Sequence, residues 1–200
     1  MIQEIKKIVD ELSINENLTE GGRHSWGCKN QRARLEKICE LAIQNFDGDI
    51  LEIGCHIGLT TRIFAQLAKK YNRKVVVVDP WNGQQEGNQS VYEAFMHNTS
   101  EYHDIIDINR VSSFSDQGKN IIKNGSFAFC WIDGLHTYYA CSQDIDSCSG
   151  QNGILAVDDL RWLPELRQLF DEKTRQYDFT SYYNDNCREG YYITKNGEQQ

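Results

Sequence analysis

The sequence predicts an α/β fold: a doubly wound, mostly parallel seven-stranded sheet that ends in an antiparallel hairpin. Three observations predict it. Short apolar runs alternate with segments of helical periodicity through the middle of the chain. The run Leu51-Glu52-Ile53-Gly54-Cys55-His56-Ile57-Gly58 sets a glycine turn between a strand and a helix, the first half of a nucleotide-binding βαβ unit. The tail then changes character, with aromatic-rich stretches on either side of the polar turn Asn184-Asp185-Asn186.

Taken in order, Ile2, Ile5, Ile8, Val9 and Leu12 form a helical apolar stripe over residues 2–12. The stretch from Glu20 to Gly27 is polar and glycine-containing and reads as a loop. A second helix is expected from Gln31 to Phe46, before Asp47-Gly48-Asp49 turns the chain into the first strand. Residues 1–46 are thus an N-terminal helical cap segment ahead of a main unit over 47–200, the whole forming a single globular domain. Leu59, Ile63, Phe64, Leu67 and Ala68 share one face of a helix over 58–71. Val75-Val76-Val77-Val78 has the length and bulk of a buried parallel strand and ends at Asp79. Ile105 to Val111 is a weaker strand signal. Phe127 to Ile132 ends at Asp133, and Ile154 to Val157 ends at Asp158-Asp159. Further helices are expected over 115–123, 137–149 and 161–172, and the hairpin strands over 177–183 and 190–194.

A formal net charge of −8 without a Lys/Arg-rich run argues against a nucleic-acid partner and against an electrostatic membrane anchor. No apolar stretch approaches the roughly 20 residues of a membrane span. Met1 to Leu12 lacks the apolar centre of a secretory signal, so a cytoplasmic location is expected. The seven cysteines contain no Cys-x-x-Cys pair, which speaks against structural zinc and for reduced thiols.

In open α/β sheets the ligand lies beyond the carboxyl ends of the strands, near the point where strand order reverses. Glu52, Asp79, Asp133 and the pair Asp158-Asp159 each close a strand, which gathers them along one rim. An acid after a strand is also ordinary turn chemistry, but its recurrence at four strand ends favours a site. Asp79 stands about 20 residues beyond the glycine turn, where a carboxylate can hold the two hydroxyls of a ribose. Trp81 either lies against an adenine face or simply packs. Ser113, after the third strand, is placed to meet adenine nitrogens. His56 in the turn must lie close to any cofactor, whereas Cys55 reads as a small packing residue.

Asp133, Asp158 and Asp159 come from neighbouring strands and repel one another unless a cation or protons intervene. An all-oxygen donor set suits a hard divalent ion such as Mg²⁺. His136, three residues after Asp133, reads as a general base near neutral pH or as the cap of the next helix.

These segments together resemble the class I S-adenosylmethionine (SAM)-dependent methyltransferases. Four motifs carry the likeness: Leu-Glu-Ile-Gly-x-x-x-Gly, Asp79-Pro80-Trp81, Trp131-Ile132-Asp133-Gly134-Leu135-His136-Thr137-Tyr138 and Gly153-x-x-x-x-Asp158-Asp159. It is nearest to the small-molecule O-methyltransferases related to macrocin O-methyltransferase and spans residues 48–195. It implies a Rossmann-like methyltransferase fold over 47–200 with SAM as cofactor. Glu52, Gly54, His56 and Gly58 would form the turn beside the methionine part, Asp79 would bind ribose, and Trp81, Ser113 and Asp133 would lie beside the cofactor. Asp133, Asp158 and Asp159 match the metal ligands of the cation-dependent branch, and His136 matches a histidine proposed as base. His56 replaces a glycine common in the family, and nothing before Asp47 matches it. The acceptor therefore stays open among a sugar, a catechol-like ring and a natural-product scaffold.

The expected function is metal-assisted O-methylation of a small-molecule acceptor, with no nucleic-acid or membrane partner and with homo-oligomerisation left open. A non-catalytic SAM-fold binding protein is the alternative. A nicotinamide-dependent oxidoreductase is disfavoured, because the turn lacks Gly-x-Gly-x-x-Gly.

Overall fold

Every strand expected from the sequence forms. The structure is a computed structural model and describes residues 1–13, 29–82 and 88–194. The strands are β1 (Asp49–Ile53), β2 (Val75–Val78), β3 (Ile106–Asn109), β4 (Phe127–Ile132), β5 (Ile154–Val157), β6 (Thr180–Tyr183) and β7 (Gly190–Ile193). They make one seven-stranded sheet in the order β3-β2-β1-β4-β5-β7-β6. The pairs from β3 through β5 are parallel, and β7 runs antiparallel to both β5 and β6. The chain moves outward from β1 to β3 and then returns to place β4 against β1. Strand order reverses there, so a crevice is expected above the ends of β1 and β4.

Seven described α-helices cover the two faces: α1 (Ile2–Ser13), α2 (Lys29–Asn45), α3 (Leu59–Tyr71), α4 (Asn88–Thr99), α5 (Asp116–Asn124), α6 (Tyr138–Cys148) and α7 (Pro164–Tyr177). Alternate strand residues serve opposite faces, as the two-residue period of a strand requires. Ile50, Val77, Phe129 and Trp131 pack with Ile5 of α1, Ile38 of α2, Phe64 of α3 and Phe95 of α4. Leu51, Val78, Ile132 and Leu155 pack with Ile122 of α5, Ile145 of α6 and Phe170 of α7. Burial on both faces is why β2 and β4 are apolar throughout.

The N-terminal helices share the core of the sheet rather than standing apart from it. Arg34 of α2 and Glu189 beside β7 form a fully buried ion pair, both at 0% exposure, and Tyr191 Oη donates to Glu189 at 3.0 Å. Such a pair is costly to break from one side, so α2 is pinned to the tail of the sheet.

Three elements differ from expectation. Helix α4 carries no clear apolar stripe in the sequence, because Asn, Gln, Ser and Thr surround Val91, Tyr92 and Phe95. Helix α7 begins at Pro164 and continues to Tyr177. Proline suits the first helical turn, and Asp178 at φ 52° closes the far end, so β6 starts later than expected. The loop expected over 20–27 lies outside the described residues. The six described cysteines are buried and form no disulfide.

Candidate active site

The turn after β1 is organised by a carboxylate. Asp79 Oδ2 accepts from the backbone N–H of Cys55 at 2.8 Å and of His56 at 3.1 Å. Asp79 Oδ1 accepts from Trp81 N at 2.7 Å. Gly54, His56 and Gly58 all have positive φ, at 84°, 47° and 80°. Gly58 caps α3 without a side-chain hydrogen bond, so no cap side chain takes the N–H groups of the helix's first turn.

Gly54 is required for a reason other than close approach of a ligand. A Cβ there would stand 2.1 Å from the Asp133 carbonyl oxygen and 2.8 Å from Gly134 Cα. The turn after β1 is thus pressed against the turn after β4, and the missing side chain lets the two touch.

Glu52 lies one layer below. It is 1% exposed and its Oε2 accepts from Thr61 Oγ1 of α3 at 2.6 Å. Burial pushes its carboxyl up to about 8, the Thr61 bond offsets part of this, and the charge of Asp79 adds to it. Glu52 supports the turn from beneath and does not line the crevice.

Of the two readings of Trp81, packing is the one observed. The indole is 3% exposed, lies 5.0 Å from Tyr92 and 4.7 Å from Phe95 by ring centroids, and donates from Nε1 to His56 O at 2.8 Å. No open face remains for an adenine. Ser113 is buried beside Asp144 of α6, whose carboxyl burial pushes up to about 7 and whose rise the serine hydroxyl partly offsets.

Above the ends of β4 and β5 the expected acids do converge, around His136. Its Nδ1 lies 3.1 Å from Asp159 Oδ2, and its Nε2 lies 3.5 Å from Asp133 Oδ1. The imidazole therefore sits between two carboxylates. It does not cap α6, since Thr137 Oγ1 accepts from Ala140 N there. Desolvation holds the imidazole pKa below its ordinary 6.5, against the pull of Asp159. Burial raises the Asp133 carboxyl, and the charges of Asp158 and Asp159 raise it further.

The expectation of one Mg²⁺ on Asp133, Asp158 and Asp159 does not fit this arrangement. Arg188 Nη2 bonds Asp159 Oδ1 and reaches Asp158 Oδ2 at 3.2 Å, while its Nε donates to Asp159 Oδ1 at 3.1 Å. Gln31 Nε2 takes Asp158 Oδ1 at 2.8 Å. Burial pulls the Arg188 guanidinium down, but Asp158 and Asp159 together hold it well above its ordinary value. Among the described residues no cluster has the geometry of a metal site. The repulsion among the acids is real, and an arginine meets it.

Arg188 and Gln31 were not legible as site residues. The antiparallel register that sets Val157 opposite Gly190 carries Arg188 to the acids, and Leu160 N donates to Arg188 O at 2.7 Å. The tail hairpin and its lone arginine were visible; its register was not. Leu135 and Trp162 stand exposed at the rim, at 61% and 52%. No described helix is long and apolar enough to cross a membrane.

Comparison with known proteins agrees with this fold. Residues 51–160 match the family described as "Methyltransferase domain". Among solved structures, CalS11, a TDP-rhamnose 3'-O-methyltransferase of calicheamicin biosynthesis, superposes with a TM-score of 0.62 at 14% identity, over 96% of this chain and 93% of that one. An O-methyltransferase from Bacillus cereus in complex with SAH gives 0.58 at 13% identity, over 96% and 91%. The O-methyltransferase NovP gives 0.58 at 16%, over 80% and 78%. At these identities the likeness shows the fold. No curated protein matches the chain.

Proposed function

The chain belongs to the methyltransferase domain family, and from that premise we propose that it is a SAM-dependent O-methyltransferase acting on a small-molecule hydroxyl. The observation that carries the reading is His136, held between Asp159 and Asp133 on the turn that Gly54 brings against the glycine turn. A base and a cofactor cradle then share one crevice at the reversal of strand order.

The residues of the turn fit SAM. Asp79 Oδ1 accepts one backbone bond and keeps room for a ribose hydroxyl, and the uncapped start of α3 suits the carboxylate of the methionine part. When bound, SAM supplies an electrophilic methyl group on a sulfonium. Gly54, His56 and Gly58 shape the turn around it, and Glu52 and Trp81 brace that turn from below and from the side.

His136 does the proton chemistry. The Asp159 carboxylate, 3.1 Å from Nδ1, favours the tautomer protonated at that nitrogen, which leaves the Nε2 lone pair for the acceptor hydroxyl. A pKa below 6.5 keeps the ring neutral, and so basic, at pH 7. Taking the hydroxyl proton gives an oxygen nucleophile and an imidazolium that Asp159 stabilises. Orientation of the two reactants supplies the larger share of the acceleration, on the scale of about 7–11 kcal/mol. Metal assistance, expected from the sequence, forms no part of this reading, because Arg188 engages the acids that would hold the ion.

The acceptor is a sugar, a catechol-like ring or a natural-product scaffold, and the likeness to CalS11, which methylates a rhamnose, supports a sugar. Incubation with SAM and a panel of such hydroxyl compounds, with SAH formation as readout, tests the reading. Turnover dependent on His136 is expected. SAM binding with no transfer to any acceptor, and no effect of His136→Ala, would favour a non-catalytic binding protein.

A further inference from the structure

We propose that Arg188 is the resident cation of this site, taking the place of a divalent ion, so that the wild-type chain binds no divalent metal at Asp158 and Asp159. Three of the four carboxylate oxygens of that pair accept hydrogen bonds, and the fourth lies beside the His136 ring. Asp158 Oδ1 accepts from Gln31 and Oδ2 from Arg188; Asp159 Oδ1 accepts from Arg188, and Oδ2 faces His136. A dication would have to displace a guanidinium whose planar fork matches carboxylates better than a point charge does. With the arginine still in place, it would meet like charge at contact distance.

The guanidinium is built in rather than draped over the surface. Arg188 is bonded through its carbonyl to Leu160 N, and the next residue, Glu189, is locked by the buried ion pair with Arg34 and by Tyr191 Oη. Gly190 then continues into β7 opposite Val157. The side chain is only 21% exposed, so moving it away needs rearrangement of the hairpin. Arg188 is thereby a positioning residue: it orients Asp159, and Asp159 orients His136.

The inference rests on the site assigned above but not on its reaction, since metal binding is read without turnover. Mn²⁺ is titrated into the full-length wild type, Asp159→Asn, Arg188→Gln and the double variant Arg188→Gln/Asp159→Asn, with free Mn²⁺ followed by electron paramagnetic resonance. Circular dichroism checks folding. Wild type is expected to show no saturable site up to about 1 mM, the weak end for protein-bound divalent ions. Arg188→Gln is expected to gain one site, tighter by at least about tenfold, and the double variant to lose it. Arg188→Met, which keeps the apolar stem, serves if Arg188→Gln does not fold. A site in wild type that Asp159→Asn abolishes would overturn the inference. So would folded Arg188 variants that bind no Mn²⁺, because the guanidinium would then not be what excludes the ion. Failure to find methyl transfer would leave either result intact.

Discussion

His136 Nδ1 lies 3.1 Å from Asp159 Oδ2, and Asp159 is itself fixed by two nitrogens of Arg188. Asp159 adopts φ 61°, a left-handed conformation that a non-glycine residue keeps only when its surroundings enforce it. The acid is thus set in place to aim the ring, and the ring's other nitrogen is left toward Asp133 and the crevice.

Replacing His136 with Ala is expected to slow methyl transfer by about 10²–10⁴-fold with little change in SAM affinity. The comparison is kcat against the SAM Kd from calorimetry. Equal loss in both would make His136 a binding residue.

The pH profile follows from the same pair. The neutral imidazole is the active form, so kcat should rise with pH and level off above a midpoint below 6.5. The Asp159 charge raises the His136 pKa, so Asp159→Asn should move that midpoint to lower pH while reducing the plateau. A midpoint that moves upward would show that Asp159 is not the partner that matters.

Glu52 predicts a pH dependence of stability. Between the unfolded value of 4.5 and the folded value of about 8, the folded chain keeps a proton that the unfolded chain has lost. This contribution is fully present below 4.5 and is lost as pH rises toward 8, at about 1.4 kcal/mol per pH unit. Urea unfolding at pH 5.5 and 8 should show the loss in wild type, and Glu52→Gln, which can still accept from Thr61, should flatten it. Equal slopes in both would remove Glu52 from the explanation.

Gly54→Ala should destabilise the fold by more than the about 1–3 kcal/mol of a strained dihedral, because the added Cβ also meets the Asp133 carbonyl. Denaturant unfolding checks the size. The same substitution should disturb SAM affinity and kcat together, since it separates the two turns; loss of SAM affinity with full stability would place the glycine's role at the ligand instead.

The sheet was legible because β-branched and aromatic runs ending in acids have few other readings. Convergence of Asp133, Asp158 and Asp159 followed from the strand ends alone. The charge that balances them did not. Arg188 is remote in sequence from those acids, and a hairpin register decides its neighbour. Trp81 was ambiguous for a related reason: its burial depends on Phe95 and Tyr92 of α4, the one described helix whose polar composition hid it. The glycine turn at 54–58 was visible, but the contact between two turns that requires glycine at 54 is a tertiary fact.

The most direct test of the account is calorimetric titration of SAM into wild type and Asp79→Ala. Asp79 gathers the N–H groups of Cys55, His56 and Trp81 and is assigned to the ribose, so its loss should cost about 1.5–3 kcal/mol, roughly 10- to 150-fold in affinity. The account predicts one SAM per wild-type chain and that weakening in a folded variant. A wild type that binds no SAM, or an Asp79→Ala protein that binds it unchanged, would contradict it.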